Sequence, residues 1–173
     1  MIVCGYAKSN DTNESSRIYS TSNGGESWDI VGSGPATNII KGVVYVSSDV
    51  GFFCYDYVEG MDSNLYKTDD GGKTFAKVML EEQELDSSAA NPQGQETETK
   101  TDSGKNGADS SEQLRWGDVY KEALTPVVDS TGIITIYLTQ GKNAVYNDGK
   151  TAAKYQSSDK GSTCLLYTSD AAD

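Results

Sequence analysis

The stretch Thr68-Asp69-Asp70-Gly71-Gly72-Lys73-Thr74-Phe75 holds the most suggestive set of reactive groups in the chain. It combines adjacent carboxylates, a glycine pair, a lysine and a hydroxyl. Three kinds of loop use such residues. A calcium loop needs oxygen ligands at alternating positions and a Glu near position 12, and here Lys73 and Phe75 occupy the places that further ligands would take. A phosphate cradle needs Gly-Lys-Ser/Thr opening a helix, and the flanking residues are strand-like. The third possibility is a tight turn between two strands. There Asp70 accepts bonds from turn N–H groups and a glycine takes a positive φ. The turn is the reading adopted, with no metal site and no cofactor expected.

Other chemistry-bearing residues are few. The sequence has no His, so it has no imidazole for base catalysis or metal ligation. Cys4, Cys54 and Cys164 are its only thiols. Cys4 and Cys54 lie in the strand-like runs "MIVCGY" and "GFFCYDY" and are expected to be buried free thiols; a bridge between neighbouring strands is the sharper alternative. The net charge of −12 opposes binding to nucleic acid or to anionic membrane surfaces. No run approaches the roughly 20 apolar residues of a membrane helix.

The turn recurs. "TSNGGESW" covers Thr21 to Trp28 and "SSDKGST" covers Ser157 to Thr163. The shared pattern is Ser/Thr, any, Asp/Asn, any, Gly, any, Ser/Thr, then an aromatic. Each copy follows a strand-like lead-in, "RIYS", "NLYK" or "AKYQ", with Tyr19, Tyr66 or Tyr155 two residues before it. The first two copies begin 47 residues apart, and the next two 89 apart. Residues 81–113 lie in the longer gap, and without these 33 residues its spacing falls to 56. They carry nine acidic and two basic residues, no aromatic, no β-branched aliphatic and one Leu. Such a segment cannot bury enough surface to offset its ordering entropy, and it is expected to be a disordered acidic insert.

Around the turns the chain reads as short strands. "GVVYVSS", "GFFCYDYVE", "NLYKT" and "TFAKVML" form a set of four, rich in β-branched and aromatic residues. "IITIYLTQ" and "NAVYNDGKTAAKYQS" continue the style, with Asn147-Asp148-Gly149 as a hairpin turn. "LRWGDVYKEAL" allows at most one or two turns of helix.

The repeated pattern resembles the Asp-box, or BNR repeat, of sialidases and other β-propellers. The resemblance covers roughly residues 1–163 apart from the insert. It implies an all-β fold, a fragment of a β-propeller with about three four-stranded antiparallel blades, one complete and two partial. In that family the box joins the third and fourth strands of a blade. The structural box residues implied are Thr21, Asn23, Gly25, Ser27 and Trp28; Thr68, Asp70, Gly72, Thr74 and Phe75; and Ser157, Asp159, Gly161 and Thr163. The domains expected are residues 1–80 with the first two boxes, 81–113 as the insert, 114–163 with the third box, and 164–173 as a tail.

The resemblance does not carry over a catalytic site. A sialidase needs three arginines around the substrate carboxylate, and this chain has only Arg17 and Arg115. No catalytic residue is assigned. The function expected is a non-catalytic scaffold or binding module of an exported or cell-surface bacterial protein. A fragment of a glycoside hydrolase, sialidase-like or xyloglucanase-like, is the alternative. Expected partners are a glycan or a cell-surface protein and the remaining blades of a longer protein, with a signal peptide upstream. The ending "CLLYTSDAAD" resembles the translation of a transposase-type sequencing adapter. Cys164 stands where the box calls for an aromatic, so residues 164–173 are expected to be a non-native tail.

Overall fold

The computed structural model describes residues 16–80, 82, 116–140, 146 and 151–167, and the backbone of residues 2–5. The insert at 81–113, apart from Glu82, lies outside these residues, as do Arg115, the Asn147-Asp148-Gly149 turn and the Cys4 side chain.

The fold is mostly β, in three antiparallel sheets that follow one another along the chain. The first contains β1 (Ile2–Gly5), β2 (Arg17–Ser20) and β3 (Asp29–Ser33). The second is a four-stranded meander of β4 (Ile40–Tyr45), β5 (Gly51–Tyr55), β6 (Leu65–Thr68) and β7 (Ala76–Lys77). A single helical turn, α1 (Trp116–Val119), precedes the third sheet. That sheet holds β8 (Glu122–Ala123), β9 (Val127–Val128), β10 (Ile134–Thr139), β11 (Ala153–Ser157) and β12 (Leu165–Tyr167).

The third sheet is fuller than the partial unit expected. β8 and β9 both pair with β10, β8 at Leu138–Thr139 and β9 at Ile134–Thr135. Together they form one interrupted outer strand. Pro126 sits in the gap, has no N–H to donate and disfavours continuous pairing. Packing also continues past Thr163. β12 pairs with β11, and Cys164 and Leu166 pack against the core, since "CLLYTS" has enough β character to extend the sheet.

The sheets stack through alternating side chains. β5 is buried along its whole length. Phe53 and Tyr55 join Ile18 of the first sheet and Tyr66 in one core cluster. Phe52 and Cys54 join Leu65 and the third-sheet residues Ile134, Ile136, Ala153 and Tyr155 in the other. The period-two alternation of a strand therefore places the second sheet between its neighbours. Full burial of each large side chain here contributes about 1.5–3 kcal/mol. Among the described residues no helix is long and apolar enough to cross a membrane.

Candidate functional site

Each of the three repeated turns joins a hydrogen-bonded antiparallel pair: β2 to β3, β6 to β7, and β11 to β12. All three use one set of bonds. The first hydroxyl of the motif is buried in each copy (Thr21, Thr68, Ser157). It donates to the side-chain oxygen two residues on, at 2.8 Å to Asn23, 2.8 Å to Asp70 and 2.7 Å to Asp159. It accepts the N–H of the motif glycine, at 2.9 Å from Gly25, 2.9 Å from Gly72 and 2.8 Å from Gly161. The Asn or Asp oxygen then accepts the N–H of Ser27, Thr74 or Thr163, at 3.1, 2.9 and 2.9 Å. Each loop thus satisfies its own backbone N–H groups without help from regular secondary structure.

Two departures show what the turn requires. In the second and third copies the last hydroxyl donates to the carboxylate, Thr74 to Asp70 at 2.5 Å and Thr163 to Asp159 at 2.6 Å. In the first copy the direction reverses, with Asn23 Nδ2 donating to Ser27 Oγ at 2.9 Å. An amide and a carboxylate thus serve equally, so charge is not what the position demands. The backbone is left-handed at two consecutive positions of every copy, φ 75° and 100° at Gly24 and Gly25, 76° and 99° at Gly71 and Gly72, and 59° and 76° at Lys160 and Gly161. Lys160 alone adopts this conformation with a side chain, which costs about 1 kcal/mol.

Electrostatics follow from the bonds. The Thr74 hydroxyl, then the Thr74 N–H, holds the Asp70 carboxyl well below the usual carboxylate range. The Thr163 hydroxyl, then its N–H, does the same for Asp159. Both carboxylates stay ionised and their oxygens are committed to their own loops. That makes them poor general acids, which need a raised pKa and a free proton.

The turns also pack in a common direction. A Cβ at Gly72 would press on Tyr45 and on Ile18 of the first sheet, and one at Gly161 would overlap the ring of Phe52 in the second sheet. Phe75 meets Phe53 edge to face, with ring centroids 4.9 Å apart. Cys164, at the equivalent position of the third copy, packs on the core next to the second sheet. Trp28 lies over its own Gly25.

The sequence reading missed two residues. Asn64 is fully buried and ties the second sheet to the third. Its Nδ2 donates to Tyr55 O at 2.8 Å and Ala123 O at 2.9 Å, and its Oδ1 accepts from Ala123 N at 2.8 Å. Asp129 closes the β9–β10 hairpin by accepting from the Thr131 and Ile133 N–H groups. The run Asp-Ser-Thr-Gly signals that second turn; nothing local signals the first. Asn64 also borders a cavity of about 90 Å³ between these sheets, lined by Met61, Met79, Trp116, Tyr120 and Lys121. Cys54 is buried as a free thiol and donates to Ala123 O at 3.2 Å, with burial pushing its pKa up. No cluster of metal-ligating side chains occurs among the described residues.

The arrangement defines an antiparallel β protein whose sheets carry matching turns. No protein family, curated protein or solved structure matches the chain.

Proposed function

We propose that the chain is a run of Asp-box β-propeller blades serving as a non-catalytic scaffold or binding module of an exported or cell-surface bacterial protein. The observation that carries this reading is the recurrence of one turn, with a shared set of bonds from its first hydroxyl and its Asn or Asp oxygen, at three final hairpins, two of whose glycines, Gly72 and Gly161, lean on the sheet before. Such a device repeats a building block and spends its polar groups on holding it. The glycoside hydrolase alternative gains nothing from Asp70 and Asp159, whose oxygens are consumed by their own turns. The partner proposed is a glycan or a protein at the cell surface.

The test pairs binding with turnover. The purified 173-residue chain is screened on a glycan array and assayed against aryl glycosides, including a sialoside. The expected result is no release of aglycone above buffer. Turnover abolished by an Asp→Asn or Glu→Gln substitution would overturn the non-catalytic reading. Secretion of the full natural gene product, tracked by fractionation, tests the location.

A further inference from the structure

The cavity of about 90 Å³ is walled by the second and third sheets and their flanks alone, so it stands whether or not the repeats are propeller blades. Most polar groups on its wall are already committed to the fold. Asn64 uses its amide on Tyr55 and Ala123. The Ser63 hydroxyl donates to Val78 O at 3.1 Å and accepts the Leu65 N–H at 3.1 Å. The Tyr155 hydroxyl accepts from Trp116 Nε1 at 2.9 Å, and the Tyr120 hydroxyl donates to Thr151 Oγ1 at 2.9 Å. Asp62 and Lys121 turn to partners of their own, Lys77 at 2.8 Å and Glu59 at 2.9 Å. Such a wall has few groups left to replace the water around a polyol or an anion.

What the wall does offer is apolar surface, two rings and a carboxylate. Met61, Val78, Met79, Leu80 and Leu138 supply the surface. The rings of Trp116 and Tyr120 meet with centroids 4.5 Å apart, tilted by 46°, and the Nε1 bond holds the indole in place. Met79 and Glu82, both exposed, mark the mouth. A Cβ on Gly117 would come within 2.8 Å of Glu82 Oε1, so the bare backbone there lets the carboxylate lie over α1 beside Trp116. Among the described residues no Lys or Arg forms an ion pair with Glu82.

We propose that this cavity binds a small quaternary ammonium group, a trimethylammonium head of the kind choline carries. Such a cation has no N–H, so it asks no acceptors of a wall whose acceptors are in use. Its methyl groups meet the apolar surface, and its charge meets the aromatic faces, of which Trp is the most favourable. Glu82 supplies an opposite charge at the mouth, and the net charge of −12 favours the approach of a cation. A primary ammonium would have to give up its water without finding acceptors in exchange. Size points the same way. An apolar cavity of about 150 Å³ holds benzene, so a space of about 90 Å³ suits a compact branched head and excludes a whole sugar ring.

Titration of the full chain with choline chloride at constant ionic strength, followed by the NMR signals of its two indole N–H groups, tests this. Saturable binding in the millimolar range is expected, with the Trp116 signal moving and the Trp28 signal still. The uncharged isostere 3,3-dimethylbutan-1-ol and the primary amine ethanolamine should each bind roughly tenfold more weakly or worse. Glu82→Gln, at an exposed position, should weaken choline binding by about threefold or more, and Trp116→Leu by about tenfold or more. Trp116→Phe, which keeps a weaker ring, replaces the second variant should it fail to fold. A folded wild type that does not bind choline overturns the proposal. So does isostere binding as tight as choline binding, or choline binding that neither the Glu82 nor the Trp116 variant alters. Cosedimentation with phosphatidylcholine vesicles tells the source of the group. Capture that free choline competes away assigns a lipid headgroup, choline binding without capture assigns a free solute, and both uphold the site.

Discussion

Replacing Asn64 by Ala should be among the most damaging single changes in the chain. Its side chain is fully buried and spans two sheets through bonds of 2.8–2.9 Å. The Ala123 N–H would lose its partner outright, at a cost of about 1–3 kcal/mol for a buried unsatisfied donor. The two carbonyls fare better. Each also has the Cys54 thiol nearby, at 3.2 Å from Ala123 O and 3.9 Å from Tyr55 O, so each loses only a net bond of about 0.5–1.5 kcal/mol. Together these give roughly 2–6 kcal/mol, a large fraction of the stability of an ordinary domain. The assay is urea unfolding followed by the fluorescence of Trp116, which packs beside this junction. Asn64→Asp sharpens the test, because it keeps the acceptor for Ala123 N–H but turns a carboxylate onto two carbonyl oxygens. Its folded-state pKa is expected to lie above the unfolded value, so its penalty is largest near neutrality and shrinks as the pH falls through that raised pKa. A loss below about 1 kcal/mol for Asn64→Ala, with an unchanged denaturant slope, would refute the claim that this amide clamps the sheets.

Other expectations concern the turns. Thr68→Val keeps the shape and removes the hydroxyl, stranding the Gly72 N–H; it should cost about 1–3 kcal/mol by chemical denaturation, and Ser157→Ala should act in the same direction. Gly161→Ala should cost more than Gly24→Ala, which faces only open space. The second pays the left-handed penalty of about 1–2 kcal/mol, and the first adds a clash with Phe52 worth about 1–3 kcal/mol more; equal losses would show that Gly161 does not touch the second sheet. Lys160→Gly should stabilise by up to about 1 kcal/mol, since it relieves a left-handed backbone that carries a side chain. The carboxyls of Asp62, Asp70, Asp129 and Asp159 are all lowered when folded, by the Lys77, Thr74, Thr131 and Thr163 side chains respectively. Their contribution is therefore full above the unfolded carboxylate value of about 3.9 and is lost as the pH falls below it towards the folded values. The urea midpoint should hold down to about pH 5 and drop below about pH 4. The double variant Asp70→Asn, Asp159→Asn should flatten that drop, and an unchanged drop would place the acid sensitivity elsewhere.

What the sequence made legible was local. The turn at Thr68–Phe75 could be read because its bonds run between residues two to four apart. The strands of the second sheet could be read because β-branched and aromatic residues alternate between Gly and Asp clusters. What could not be read was long-range. Nothing near Asn64 in the sequence shows that Ala123 will face it, because that contact depends on how two sheets come together. The split of the third sheet's outer strand could have been read from Pro126, but the pairing partner of each half could not. The direction of stacking was equally hidden, since a Tyr two residues before a turn says nothing about which neighbour it meets.

The imperfect copies are the most informative, because each removes one feature and keeps the fold. Asn23 removes the charge and retains the bonds by reversing one donor, so the turn selects for a forked polar group of that length. Lys160 removes a glycine where the space around the loop is open to solvent, and the turn survives with a strained backbone. Gly161, one residue on, has no such latitude because Phe52 stands against it. Cys164 removes the aromatic, and the neighbouring Leu166 packs against the same core. The positions that keep their kind in every copy are the buried hydroxyl, the glycine whose N–H it accepts, and the last hydroxyl residue, Ser27, Thr74 or Thr163, whose N–H the Asn or Asp oxygen accepts. Without the first hydroxyl the glycine N–H would be left unpaired, and that cost, more than charge or ring size, explains why the motif takes this form.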